Sequence, residues 1–184
     1  KIAQAVDSTV QHSLKISQLI STLQAERGAS GVVLASKGGR FQERLAGLRL
    51  QTDLALNELQ QLGLSIWPII QSEKADLRAK VDGLTIESSE SAARYTKLIA
   101  DLIALDRKAE QALEHLTLSR KLATLNMLIE TKERAGRERA ILGIVFSHGR
   151  FTEKTLAAFA NNLGAYRAYA ESMVNMLSET QKLR

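Results

Sequence analysis

Apolar residues recur along this chain at alternating spacings of three and four, the repeat that stacks side chains on one face of an α-helix. Glycine, proline and threonine punctuate that pattern into six helical segments. The first runs from Ile2 to Ser36, roughly 50 Å at a rise of 1.5 Å per residue, and stops at Gly38-Gly39. The second carries Phe41, Leu45, Leu48, Thr52, Ala55, Leu59 and Leu62 on one face and ends at Gly63, so it returns as the antiparallel partner of the first. Trp67-Pro68 opens the third, with proline at the tolerated first position, and Gly83 closes it; Trp67 is expected to plug the end of a bundle. Thr85 with Glu87 reads as the cap of a fourth, striped by Tyr95, Leu98, Leu102, Ile103, Ala109 and Leu113. The fifth spans Thr117 to Ser147 and ends near Gly149. Thr152 caps the sixth, with Phe151 and Leu156 at staple positions. Leu156, Phe159, Leu163, Tyr166, Ala170, Met173 and Leu177 then keep the spacing of a helix packed along its whole length.

A single proline, 4% aromatic residues and no alternating β-branched run leave no room for a sandwich or barrel, so the class is all-α. The expected architecture is an antiparallel bundle of six helices in two coupled four-helix-bundle-like layers. With 45% hydrophobic residues among 184, the chain can form one domain around a real core, residues 1–184 throughout. Cysteine is absent, which excludes disulfides and thiolate chemistry and is silent on compartment. The 25 Lys and Arg outnumber 20 Asp and Glu, but they are interspersed along the helices, without a basic stripe or an aromatic stacking platform. Nucleic acid is therefore not expected as a partner. No apolar run is long enough to span a membrane and none reads as a leader. Lys1 opens straight into helical pattern and Gln181 to Arg184 closes without a stop, as in a domain excised from a longer, membrane-anchored signalling protein.

The apolar faces are interrupted in one recurring way. In the first helix Ile16, Ile20, Leu23, Arg27, Gly31 and Leu34 form one line, and Arg27 stands where a leucine is expected. In the fifth, a walk from Leu118 gives Leu122, Leu125, Ile129, Lys132, Gly136, Arg139, Gly143 and Phe146. Both interruptions lie in one motif: Glu26-Arg27-Gly28, Gly31 and Gly39-Arg40-Phe41 reappear as Glu138-Arg139-Ala140, Gly143 and Gly149-Arg150-Phe151. Glycine costs a helix interior roughly 1 kcal/mol against alanine, so glycines beside seam cations point to close approach or room for a ligand. Guanidinium presents a planar fork matched to two oxygens of nitrate, nitrite or a carboxylate. A structural bridge from Arg27 or Arg139 to a glutamate such as Glu26 or Glu138 satisfies the same charge equally well. The repeat predicts two hairpins packed with approximate two-fold symmetry and both arginines at one shared site.

These residues carry a resemblance. Gln24 to Gly28, Ser30 and the Gly39-Arg40-Phe41 turn, followed by Lys132-Glu133, Gly136, Glu138-Arg139-Ala140 and Gly149-Arg150-Phe151, resemble the nitrate- and nitrite-sensing (NIT) domain family over nearly the whole chain. The resemblance implies a helical sensor of nitrate or nitrite, as found in chemoreceptors, histidine kinases, cyclic-nucleotide enzymes and transcription antiterminators. By motif, Arg27 and Arg139 become the leading anion ligands, with Lys132 supporting and Gly28, Gly31 and Gly136 supplying space. Arg134 and Arg137 flank the second motif off the seam and rank below them. Ala140 departs from the Glu-Arg-Gly pattern and narrows the space in the second copy. Tyr166 could offer a hydroxyl, although it sits on a regular core stripe. His12, His115 and His148 lack partners at metal spacing, and Ser30 and Ser147 lack a nearby base, so neither metal, cofactor nor catalysis is expected. The expected protein is a homodimeric, periplasmic sensor domain of a chemoreceptor or sensor kinase, with a cytoplasmic module as the alternative. An organic-acid sensor and a ligand-free dimerisation bundle are the rivals.

Overall fold

A computed structural model describes the backbone of residues 2–61, 67–111 and 116–182 and the side chains within 8–61, 68–108 and 122–177. Leu62, Gly63, Leu113 and His115, and the side chains of Trp67, Ala109 and Leu118, lie outside what is described, and with them the expected stop of the second helix and the tryptophan plug. Six helices follow one another: α1 (Ile2–Ala35), α2 (Gln42–Gln60), α3 (Trp67–Asp82), α4 (Ser88–Gln111), α5 (Leu116–His148) and α6 (Glu153–Lys182). No strand occurs among the described residues. The chain forms two compact units, residues 14–102 and residues 1–13 with 103–184, each assembled from segments of four helices.

In the unit of residues 14–102, Lys15 of α1 reaches Glu58 of α2 far from their connecting turn, the mark of an antiparallel hairpin. α3 runs antiparallel to α2, since Arg49 pairs with Asp82 and Lys74 with Asp53. Arg94 ties α4 back to α3 through Asp76 and Glu73. The core is filled by Leu19, Leu23, Leu59, Leu77, Ile99 and Leu102, all without exposed surface or nearly so. The striped positions Leu45, Thr52, Ala55 and Leu59 of α2 and Tyr95, Leu98 and Leu102 of α4 are buried as the periodicity requires.

α5 ends at His148 with Gly149 left-handed behind it, φ 70°, as read from sequence, while two other helix ends differ in detail. α1 closes in a Schellman motif whose left-handed residue is Lys37, φ 50°, with Gly38 N–H donating to Val33 at 2.8 Å and Lys37 N–H to Leu34 at 3.1 Å. α3 closes the same way with Leu84, φ 52°, in that position, one residue past Gly83. Thr85 is therefore part of the C-terminal motif of α3, donating its amide to Lys80, and does not cap α4.

In the second unit α5 packs on α6 as an antiparallel pair: Asn162 donates to the Arg134 carbonyl, and the Arg134 guanidinium covers the Tyr169 ring. Thr152 caps α6 as expected, its hydroxyl accepting the Thr155 amide while the Thr155 hydroxyl accepts the Thr152 amide. The staple partner is different: Phe151 meets the Phe159 ring edge-on at 5.8 Å, and Leu156 is 55% exposed. Leu177 is also exposed, so the α6 stripe is half-buried and does not pack along its whole length. Ser13 of α1 donates to Asp106 of α4 at 3.0 Å within this unit.

Candidate functional site

The first seam behaves as its spacing predicts. Ile16, Ile20, Leu23 and Arg27 are buried in sequence along α1, and Arg27 retains 3% of its surface. A guanidinium that deep needs acceptors, and its Nη1 donates to the Thr96 hydroxyl of α4 at 2.8 Å. Glu26, fully enclosed beside it, turns to a different cation. Its carboxylate accepts Arg78 Nε at 2.7 Å and Nη2 at 2.8 Å, a bidentate fork from α3, and the Tyr95 hydroxyl of α4 at 2.9 Å.

Arg78 is shared. Its Nη1 donates to both oxygens of Asp53 at 2.8 and 3.0 Å, and its Nη2 also to the Arg49 carbonyl at 3.1 Å. Asp53 takes Lys74 as well. Arg49 sits at the margin, Nη1 on Asp82 and Nε 3.9 Å from Glu26, with Nε and Nη2 enclosed and lacking hydrogen-bond acceptors among the described residues. Burial alone would raise the Glu26 carboxyl; the hydrogen bonds and charge of Arg78, with the hydroxyls of Thr52 and Tyr95, outweigh it and hold the group below its ordinary range. Burial and then the Glu26 charge push the Tyr95 phenol up, so it stays a neutral donor.

Arg78 and Asp53 were not singled out from the sequence, and Tyr95 was read there only as a stripe position of the fourth helix. One signal was available: Ile70, Lys74, Leu77 and Val81 keep three-four spacing on α3 and are all buried, so Lys74 interrupts an apolar stripe just as Arg27 does.

The second seam departs from the expected line. Lys132 and Arg139 are exposed, as are Gly143 and Phe146, the last at 79%. The buried line of α5 runs Leu122, Asn126, Ile129, Glu133 and Gly136, so the step after Ile129 is four residues and places a carboxylate, not the lysine, inside. Glu133 accepts Arg137 Nε at 2.8 Å one turn on, and Glu130 accepts Arg107 Nη2 at 2.6 Å with Arg134 3.8 Å away. Arg137 and Arg134 are thereby ion-paired. Tyr166 is half-buried, and the tyrosine that meets cations is Tyr169, with Arg107 and Arg134 lying 6.0 and 5.7 Å from its ring centre.

The motif glycines do not mark tight packing. A Cβ at Gly28 would meet nothing within 4 Å, and one at Gly31 would touch only Ser88 Oγ at an ordinary 3.6 Å. Gly136 is buried. Arg27 and Arg139 belong to different units, so the expected shared site rests on the repeated motif.

Six helices, with an ionised cluster buried in the unit of residues 14–102, define an all-α helical bundle. The chain belongs to the NIT family, nitrate and nitrite sensing, which it matches over residues 18–184. It is 27% identical to a nitrate regulatory protein of Klebsiella oxytoca, over 76% of this chain and 39% of that protein. Its fold is that of the NasR transcription antiterminator, with a TM-score of 0.87 at 21% identity, covering 95% of this chain and 52% of the other. The chain thus spans about half of that structure's chain and less of the curated relative.

Those relatives correct one expectation. Interspersed charge on these helices pointed away from nucleic acid, yet the matching structure is a transcription antiterminator. The charge pattern of a segment spanning about half of such a protein carries no information about what the remainder contacts, and the exclusion is withdrawn. Among the described residues no helix is long and apolar enough to cross a membrane.

Proposed function

We propose that this chain is the nitrate- or nitrite-binding module of a larger regulatory protein, with Arg27 and Arg139 as the leading cations for the anion and Lys132, Gly28, Gly31 and Gly136 in support. The observation that carries the reading is a guanidinium at 3% exposure on the apolar seam of α1, in a chain that matches the nitrate- and nitrite-sensing family over residues 18–184. Family membership supplies the anion class, and the fork of Arg27 suits a planar, singly charged oxyanion.

The module has no catalytic step to perform: binding shifts the balance between helix packings, by no more than the anion's differential affinity for them. The relatives support a regulator of transcription as the parent over a chemoreceptor or sensor kinase, and with it the cytoplasmic alternative over the periplasm.

The test is thermal unfolding at constant ionic strength in nitrate, nitrite, chloride, sulfate, acetate and citrate. A ligand of the folded state adds about 2.7 kcal/mol at a hundred times its dissociation constant. The expected result is a selective rise with nitrate or nitrite, lost in both Arg27→Ala and Arg139→Ala. A selective rise with acetate or citrate would transfer the site to organic acids, and no selective rise would remove the sensing assignment.

A further inference from the structure

The enclosed carboxylate of Glu26 has one guanidinium fork on it and a second within reach. Arg78 of α3 uses Nε and Nη2, at 2.7 and 2.8 Å, and Tyr95 of α4 adds a donor at 2.9 Å. Arg49 of α2 brings the same two nitrogens into the interior. Its Nε lies 3.9 Å from Glu26 Oε1, and neither Nε nor Nη2 has a hydrogen-bond acceptor among the described residues. The remaining nitrogen, Nη1, is anchored on Asp82 at 2.7 and 3.0 Å. Enclosed N–H groups without acceptors are costly, and a whole idle fork beside a carboxylate calls for a reason.

We propose that this cluster is a two-position latch: Glu26 rests on Arg78 in this arrangement and passes to the Nε–Nη2 fork of Arg49 when α1 shifts against α2 and α3. The step needed is about 1 Å, the difference between 3.9 Å and an ordinary N–H···O bond. Every ion keeps a partner in both positions. Arg78, once released, stays on both oxygens of Asp53 through Nη1 at 2.8 and 3.0 Å, and on the Arg49 carbonyl through Nη2. Arg49 keeps Asp82 through Nη1 while its other two nitrogens take the carboxylate. Tyr95 donates to Oε1, the oxygen that faces Arg49, so it can follow Glu26 to either fork.

The moving element is α1 because the other ion pairs of the cluster lock α2 to α3. Asp53 of α2 holds Lys74 and Arg78 of α3, and Arg49 of α2 holds Asp82 of α3. Glu26 is the ion of the cluster that α1 contributes, and the whole cluster lies within residues 14–102. Shifts of 1–2 Å between packed helices are of the size seen in switching proteins, and interfaces with two discrete arrangements favour such steps over continuous sliding. Because a guanidinium fork replaces a guanidinium fork, the two positions differ little in chemistry, and a small bias on α1 is enough to select one. The inference stands on these groups alone and holds whether or not the chain binds an anion.

The test is a double-mutant cycle read by urea unfolding of the whole chain as wild type, Arg49→Met, Arg78→Met and the double variant. R49M is expected to leave the midpoint unchanged or slightly raised, since it removes two enclosed donors without acceptors along with one pair to the exposed Asp82. R78M lowers the midpoint, with Arg49 taking over Glu26. R49M/R78M lowers it by more than the sum of the two, because the enclosed carboxylate then has neither fork. Additive shifts overturn the proposal, as does an R78M that is unfolded or as unstable as the double variant. An R49M as costly as R78M overturns it too, since Arg49 would then already hold Glu26 in one fixed network. Should the double variant not fold, E26Q/R49M/R78M decides: restored folding traces the loss to the Glu26 charge, and continued failure overturns the latch. Relaxation dispersion on the arginine Nε–H groups of the wild type reads the handover itself. Exchange shared by Arg49 and Arg78 and abolished in E26Q is expected; exchange absent from both, or undiminished in E26Q, overturns it.

Discussion

Glu26 is a carboxylate with no exposed surface in a helix seam, and enclosing an ion costs several kcal/mol unless every lone pair finds a donor. Arg78 fills one side of it and Tyr95 another, so the single tyrosine hydroxyl is worth more than a neutral hydrogen bond. Tyr95→Phe keeps the ring and removes only that donor. It is expected to cost about 1.5–3 kcal/mol, read from the urea midpoint with an unchanged slope; a loss under about 0.5 kcal/mol would show that Ser30, 3.3 Å from the phenol oxygen, takes over as donor to Glu26. The residue scale also shows what a sequence hides. Arg27 was legible because a cation broke an otherwise apolar line. Arg78 was not, because it lies beside the Leu77 stripe among ordinary charged helix residues and acquires its role only when α3 is brought against α1.

Six helices were legible in number and order, and α1 and α5 to within a residue, since their faces follow a single period and their ends carry glycine, proline or threonine; the start of α4 lies at Ser88, beyond the expected Thr85 cap. What the period does not fix is phase within a polar stretch. After Ile129 the α5 line could step three residues to Lys132 or four to Glu133; both rejoin at Gly136, and nothing apolar decides between them. The structure takes the carboxylate inside, where Arg137 one turn on neutralises it, and Lys132 and Arg139 turn outward. At the helix ends, the glycine rule holds for α5, where Gly149 is left-handed at φ 70°, while in α1 and α3 the first left-handed residue is Lys37 or Leu84 beside the expected glycine. Lys37 holds φ 50° where glycine would be unstrained. An L-residue pays roughly 1–2 kcal/mol there, partly offset by the larger unfolded-state freedom of glycine. Lys37→Gly is therefore expected to raise stability by about 0.5–1 kcal/mol, while Lys37→Ala leaves it within about 0.5 kcal/mol of wild type; equal effects of the two in thermal unfolding would show that the side chain, not the backbone, decides.

For the molecule as a whole, the interior ions couple stability to pH with a definite sign. The carboxyls of Glu26 and Asp53 lie below their ordinary values of 4.5 and 3.8 because, against the opposing effect of burial, arginine and lysine donors favour the charged form. The folded state thus binds fewer protons than the unfolded state in this range. A group depressed in this way contributes its full stability above its unfolded pKa and loses it as the pH falls through its folded pKa. The urea midpoint is accordingly expected to be level from pH 7 to about pH 5 and to fall steeply below about pH 4. Glu26 is the enclosed member and Asp53 the more open one, with 39% of its side-chain surface exposed, so solvent screens the latter. E26Q removes the enclosed titration and should flatten the acid limb measurably, whereas Asp76→Asn, in an exposed pair with Arg94, should change it little. An acid limb unchanged in E26Q would mean that the Arg78 cluster does not carry the pH dependence, and that the fall below pH 4 arises from general positive charging of a chain that is already +5 at neutrality.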